Sequence, residues 1–295
     1  MAGDFNLHDP AFLRSLERLS LVSKRAQLGV LRGDRRGTRR GVSVEFADHR
    51  DYVPGDDLRY LDWNVYGRLD RLLLKLFVEE EDLRVYLLVD RSRSMQFGTP
   101  TKFDHARRLG AALGYLGLLG LDRVVVSAFG DGLDRGLPPL RGRGSVFRLF
   151  DYLTVLQPAG VTALGPALRR FAHEHRHPGL CVVISDFLDP DGYEAGLRAL
   201  QARRFEVVAL QILAAEELAP TVVGDLKLVD AESGEAREIT VGEALLRRYR
   251  ERARGYCEGL RRYCLGRGMG YLLTTTDEPL EGLVQASLRR LGLVR

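Results

Sequence analysis

VYLLVDRSRSM, residues 85–95, decides the fold. Five apolar residues end in an aspartate, and two serines follow it at alternate positions. A short apolar run that stops at polar residues reads as a strand buried on both faces. Similar runs recur as RVVVSAFG (123–130), LCVVISD (180–186), EVVALQIL (206–213) and GYLLTTT (270–276). Helical patterns separate them near 102–120, 144–156, 164–176, 191–203 and 243–267. A weak extended stretch is expected over 132–140 and a closing helix near 279–292. Strands alternating with helices predict a doubly wound, mostly parallel α/β sheet covered on both faces. GDLKLVDAESGEAREITV (224–241) has two strand-like halves around Glu-Ser-Gly-Glu, which predicts a β-hairpin inserted at about 214–242.

Upstream of residue 83 the pattern differs. Asp9-Pro10 supplies an N-cap and a proline at the first helical position, and Phe12, Leu13, Leu16, Leu19 and Val22 repeat at helical spacing. A helix to about Leu28 is expected, broken by RGDRRGTRRG (32–41). GVSVEF, YVPGDDLRYLDWNVYGR and LLLKLFVEE follow as β-like runs with Pro-Gly and Gly-Asp turn signals. Residues 1–82 are therefore read as an N-terminal helix-plus-strands segment, and 83–295 as the α/β domain.

Composition fits a soluble globular protein: 295 residues, 45% hydrophobic and 28% charged, enough for a sizeable core. The net charge of +4 is a weak pointer to acidic partners. Residues 14–40 concentrate nine Lys/Arg against two acids, whereas 79–82 is acidic. The three cysteines, Cys181, Cys257 and Cys264, form no C-x-x-C pair and suit a reducing cytoplasm. No signal-peptide pattern opens the sequence and no apolar stretch approaches a membrane span. A soluble, cytoplasmic protein is expected.

In an open α/β sheet, ligands bind beyond the carboxyl ends of the strands. Three polar clusters fall there: Asp90-Arg-Ser92-Arg-Ser94, Gly160-Val-Thr162 and Asp186. Two carboxylates and three hydroxyls meeting in one crevice suit a small hard cation, Mg²⁺, with Mn²⁺ or Ca²⁺ as alternatives. Ser92, Ser94 and Thr162 are candidate direct ligands; Asp90 and Asp186 could bind directly or orient ligands and waters. Neutral ligands leave much of the ion's charge uncompensated, so such a metal would accept a carboxylate brought by another molecule. Taken alone, D-x-S-x-S could instead cap the following segment, the less favoured reading.

VYLLVDRSRSM, AGVTALGPAL and VVISDF together resemble the metal-ion-dependent adhesion site (MIDAS) of von Willebrand factor A domains, a Rossmann-type fold, over about residues 84–292. The resemblance implies that Asp90, Ser92 and Ser94 take the first-loop positions, Thr162 the second and Asp186 the third. RDYVPGDDLRYLDWNVYGR (50–68) resembles the signature of domain-of-unknown-function family 58, which joins such a segment to this fold. Members are often encoded beside MoxR-type AAA+ ATPases, which implies an adaptor or chaperone-type role with that ATPase or its client as partner. Many relatives carry membrane spans; this chain departs from them.

Other clusters have plainer explanations. Asp56, Asp57 and Asp62 could form a second acidic site, but Asp57–Arg59 or Asp62–Arg68 ion pairs around a Pro54-Gly55 turn are favoured. His173, Glu174, His175 and His177 read as a solvated helix end, not a zinc site. The basic run Arg32–Arg40 and the helix RRYRERARGYCEGLRRYCLGR (247–267) could meet nucleic-acid phosphates, although Tyr249, Tyr256 and Tyr263, seven apart, more simply pack one helix face on the sheet. No nucleophile elbow, phosphate loop or Cys–His pair is apparent. The chain is read as a metal-dependent binding module rather than an enzyme; the alternatives are a Mg²⁺- or Mn²⁺-dependent hydrolase using the same crevice, or a nucleic-acid-associated protein.

Overall fold

The structure, a computed structural model, describes residues 45–78, 84–120, 122–232 and 234–280, together with 7, 9–10, 12–14, 16–17, 282 and 284. In chain order its elements are β1 (Glu45–Asp51), α1 (Trp63–Leu69), β2 (Leu73–Val78), β3 (Arg84–Asp90), α2 (Lys102–Leu119), β4 (Arg123–Phe129), β5 (Leu140–Arg141), α3 (Val146–Val155), α4 (Leu164–Glu174), β6 (Leu180–Ser185), α5 (Glu194–Ala202), β7 (Glu206–Leu213), α6 (Ala215–Leu218), β8 (Gly224–Val229), β9 (Ala236–Val241), α7 (Glu243–Leu265) and β10 (Gly270–Thr275). Two units emerge, residues 1–32 with 83–295 and residues 33–82.

The larger unit is a doubly wound α/β fold with a mostly parallel sheet. Its six-stranded sheet has the order β10-β7-β6-β3-β4-β5. Every pairing is parallel except that of the short β5 with β4. β3 lies at the switch point, because the chain runs from it first to β4 on one side and later to β6 on the other. Alternation along β3 divides the core. Val85, Leu87 and Val89 join Phe103, Leu109 and Leu113 of α2 and Leu149, Phe150 and Leu153 of α3. Tyr86 and Leu88 join Leu168 and Phe171 of α4, Leu197 and Leu200 of α5, and Leu260 and Cys264 of α7. Each of these buried leucines contributes about 1.5–3 kcal/mol by leaving water, so both faces favour the same register.

Three expectations change. Leu7 and Leu16 are buried in the first of these clusters, and the ring of Phe12 lies 6.1 Å from that of Phe150. The N-terminal helical residues therefore belong to the larger unit, not to a segment 1–82. The weak stretch 132–140 is mostly loop, because Pro138 and Pro139 bring no N–H to a ladder; it touches β4 through an isolated Leu133–Phe129 bridge, and the short strand Leu140–Arg141 pairs with β4 beyond it. The run YVPGDDLRYLDWNVYGR is not β-like. Asp57 accepts from Arg59 N–H at 3.1 Å and starts a single 3₁₀ turn, and Asp62 accepts from Asn64 and Val65 N–H at 3.0 and 3.2 Å and starts α1. Carboxylate capping outcompetes the alternating pattern there. β1 and β2 of the smaller unit pair antiparallel on either side of it.

The inserted hairpin is present as β8 and β9, paired from Gly224↔Val241 to Val229↔Ala236. Most of the expected helix to Leu28, the basic run Arg32–Arg40 and most of the closing helix lie outside the described residues. Among the described residues no helix is long and apolar enough to cross a membrane.

Candidate metal centre

β3 and β6 are neighbours in parallel register, with Val89 opposite Ile184, so the residues that end them emerge side by side. Asp90 ends β3 and Asp186 follows β6; both are fully buried. Asp90 accepts from Ser92 N–H at 2.9 Å and from the Ser185 hydroxyl at 2.6 Å, one hydrogen bond on each oxygen. Asp186 accepts from Leu188 N–H at 3.0 Å and from the Lys102 ammonium at 2.7 Å.

The three hydroxyls form a ladder above these acids. Ser92 Oγ lies 3.0 Å from Ser94 Oγ, which lies 3.5 Å from Thr162 Oγ1. Backbone hydrogen bonds bring the Thr162 loop to the sheet end: Ala159 N to Arg91 O at 2.7 Å, Arg93 N to Gly160 O at 3.2 Å and Ala163 N to Gly130 O at 2.9 Å. That approach needs glycine. Gly160 has φ of +78°, and a Cβ on Gly130 would sit 2.7 Å from Ala159 O. Asp189 ties the third loop to the second, accepting from Leu164 N–H at 2.8 Å. The structure thus brings Asp90, Ser92, Ser94, Thr162 and Asp186 to one end of the sheet.

The charges explain the site's chemistry. Burial, and then the neighbouring Asp186 charge, push the Asp90 carboxyl up to about 7. Lys102 enters from the first turn of α2 and is itself buried. Burial disfavours its ammonium, but Asp186 and Glu217, the latter at 2.6 Å, more than compensate and raise its pKa. Burial raises the Glu217 carboxyl against the pull of Lys102. Asp186 is the deeper partner and the one for which the ammonium matters most. Gln211 secures the same loop by donating to Asp186 O at 2.9 Å. Arg91 points away to pair with Asp134, while Arg93 is exposed.

Both carboxylates carry a protein hydrogen bond on each oxygen, and the neighbouring hydroxyls of Ser92, Ser94 and Thr162 add neutral oxygens that could meet an ion directly. Among the described residues no group of three His, Cys, Asp or Glu is placed to hold a metal. A hydroxyl-lined site backed by partly neutralised acids fits Mg²⁺ or Mn²⁺, which retain several waters. Lys102, Ser185, Asp189, Glu217 and Glu232 were missed by sequence reasoning. Ser185 and Asp189 flank Asp186 within SDFLDP and were legible in principle, whereas the other three reach the site only through the fold.

The remaining clusters are structural. Arg50 grips Asp56 through two contacts of 2.7 and 2.8 Å, and Arg59 pairs with Asp57 at 2.6 Å. Asp62 pairs with His49 at 2.9 Å and Lys75 at 3.5 Å, not with Arg68, because antiparallel β1 and β2 bring those two side chains to it. His175 stacks on Phe171 at 4.1 Å, and Glu174 pairs with Arg170. On α7, Tyr256 donates to Phe187 O and Tyr263 to Glu194 O, so these tyrosines pack on loops and α5 rather than on the sheet itself; Tyr249 is exposed.

Residues 48–256 match the family described as protein of unknown function DUF58, well over half of the chain. The chain belongs to this family. An uncharacterized protein of Mycobacterium tuberculosis, Rv1480, is 33% identical to this DUF58 chain over 278 residues, covering 92% of it and 87% of the relative. Among solved structures it is similar to the conserved hypothetical protein BatB from Bacteroides thetaiotaomicron, at 16% identity and TM-score 0.45, covering 71% of this chain and 97% of that one. An aerotolerance-related membrane protein from Bacteroides fragilis is similar at 17% identity and TM-score 0.47, covering 71% and 98%.

Proposed function

We propose that this DUF58 protein is a metal-dependent protein-binding module that captures an acidic partner side chain at a divalent cation, Mg²⁺ or Mn²⁺. The observation that carries the reading is the hydroxyl ladder Ser92–Ser94–Thr162 above two buried aspartates. Ser92, Ser94 and Thr162 would hold the ion; Asp90 would hold the Ser92 loop and Ser185, and Asp186 would supply buried negative charge offset by Lys102. The ion would supply an electrophilic point of attachment for a carboxylate. Exposed Arg93 at the rim favours approach of an acidic surface. The reading is binding rather than catalysis because Asp90 and Asp186 are fully buried and each is held by hydrogen bonds to the protein, so neither is presented to an incoming substrate. In the cytoplasm, the partner we propose is a MoxR-type AAA+ ATPase or its client.

Calorimetric titration with Mn²⁺ tests the site. Wild type should bind saturably, while Asp90→Ala and Thr162→Ala should weaken binding by at least about tenfold. Capture of the ATPase should require Mn²⁺ or Mg²⁺ and vanish with chelator. Folded Asp90→Ala that binds Mn²⁺ as tightly as wild type would sink the proposal.

A further inference from the structure

The hairpin β8–β9 has little core of its own. Leu226 and Ile239 are half-buried and Val241 is buried at the base, while Leu228 and Val229 are exposed. An isolated two-stranded hairpin is marginal in water. Its turn, however, is tightly organised: Asp230 N–H donates to Glu235 O at 2.8 Å, Gly234 N–H to Asp230 O at 3.0 Å, and Glu232 N–H to Asp230 Oδ1 at 3.0 Å. This geometry aims Glu232 at the candidate metal centre. The Thr162 hydroxyl donates to Glu232 Oε1 at 2.6 Å and Thr162 N–H to Oε2 at 3.1 Å. Both carboxylate oxygens are therefore held by the residue that ends the hydroxyl ladder. Among the described residues no lysine or arginine forms an ion pair with Glu232. A carboxylate held only by neutral donors beside a cluster of hydroxyls is in the position of an incoming acidic ligand.

We infer that Glu232 is the protein's own tethered ligand for this site, and that an acidic partner binds by displacing it. This deepens the proposed capture of an acidic side chain and rests on it. The inference also specifies the partner's recognition group: a glutamate-length carboxylate presented at the tip of a turn, as Glu232 is. The hairpin suits such a role because it joins α6 to α7 through its base and forms a two-stranded sheet of its own, paired with no strand of the main sheet. While Glu232 sits on Thr162, only the fraction of molecules with the arm released is competent, and apparent partner affinity falls by that fraction. Two hydrogen bonds to a carboxylate are enough to hold the closed form in excess by roughly tenfold or more.

Full-length wild type and Glu232→Gln decide the matter with two measurements. The first is amide exchange in chelator. Exchange at Thr162 and along β8–β9 should speed up in Glu232→Gln, because glutamine is uncharged and offers one acceptor oxygen where the carboxylate offers two. The second uses a labelled peptide of the tip, KLVDAESGEARE (227–238), titrated by fluorescence anisotropy in excess Mn²⁺. It should bind Glu232→Gln about tenfold more tightly than wild type, and a peptide with the glutamate of AES changed to glutamine should bind neither. Unchanged exchange at Thr162 overturns the latch whatever the metal does. So does equal peptide affinity for the two Mn²⁺-loaded proteins. If Mn²⁺ binds neither protein, the metal reading falls, and the exchange difference alone decides whether Glu232 holds Thr162.

Discussion

Replacing Lys102 with methionine removes the one cation that, among the described residues, touches Asp186. Lys102 is 1% exposed and its ammonium lies 2.7 Å from Asp186, which is 0% exposed, and 2.6 Å from Glu217, which retains 18%. Removing one partner of a buried ion pair costs about 3–5 kcal/mol, because the other charge stays buried without compensation. Glu217 can recover water and Asp186 cannot, so the lower end, about 3 kcal/mol, applies. That is roughly a hundredfold in the folded-to-unfolded ratio. For a unit of this size it lowers Tm by about 6–12 °C. Urea unfolding of Lys102→Met in chelator at pH 8 measures the loss directly. Two companions make the reasoning specific. Lys102→Met with Asp186→Asn should recover most of the loss, since the orphaned charge is gone. Mn²⁺ should stabilise Lys102→Met more than wild type, because the ion can take over part of the ammonium's role. A single variant within about 1 kcal/mol of wild type in chelator would refute the ion-pair reasoning.

Two further outcomes follow from packing and charge. Gly114→Ala should destabilise by about 1–3 kcal/mol despite alanine's better helix propensity. Its Cβ would meet Leu149 Cδ2 at 2.5 Å and Leu87 Cδ1 at 3.1 Å, and thermal unfolding showing stabilisation would contradict that packing. In chelator, wild type should lose stability as pH rises from about 4 to about 7. Over that window folded Asp90 keeps a proton that the unfolded chain has released, so stability falls with rising pH. The difference in stability between wild type and Asp90→Asn, measured by urea unfolding across that window, should carry the slope; a flat difference would count against a raised Asp90.

The candidate site was partly legible because its members sit where strands end. VYLLVD and LCVVISD stop at aspartates, and parallel neighbours in one register carry those ends to the same edge. Thr162 was legible as a hydroxyl two residues ahead of a helix that starts at Leu164. Segment 50–68 was harder. Its alternation suggests strand, but carboxylates two and three residues before amide groups cap helical turns, and local hydrogen bonding prevailed over pattern. The N-terminal helix was recognisable as a helix from its spacing, yet its partner was not, since Phe12 and Phe150 meet across the core.

On its own, then, the sequence determined the parallel strands β3, β4, β6, β7 and β10, the helices between them, the inserted hairpin and the five polar residues at the carboxyl edge, because these depend on patterns a few residues long. Tertiary structure decided what those five residues face. Lys102 reaches Asp186 across 84 positions and Glu217 across 115, and Glu232 reaches Thr162 across 70. No local periodicity encodes such pairs. They arise because β3 and β6 lie side by side, α2 starts beside their ends, and the hairpin between α6 and α7 turns its tip back onto the same edge. Strand order therefore sets the charge balance of the site and places a carboxylate of the chain's own at its mouth.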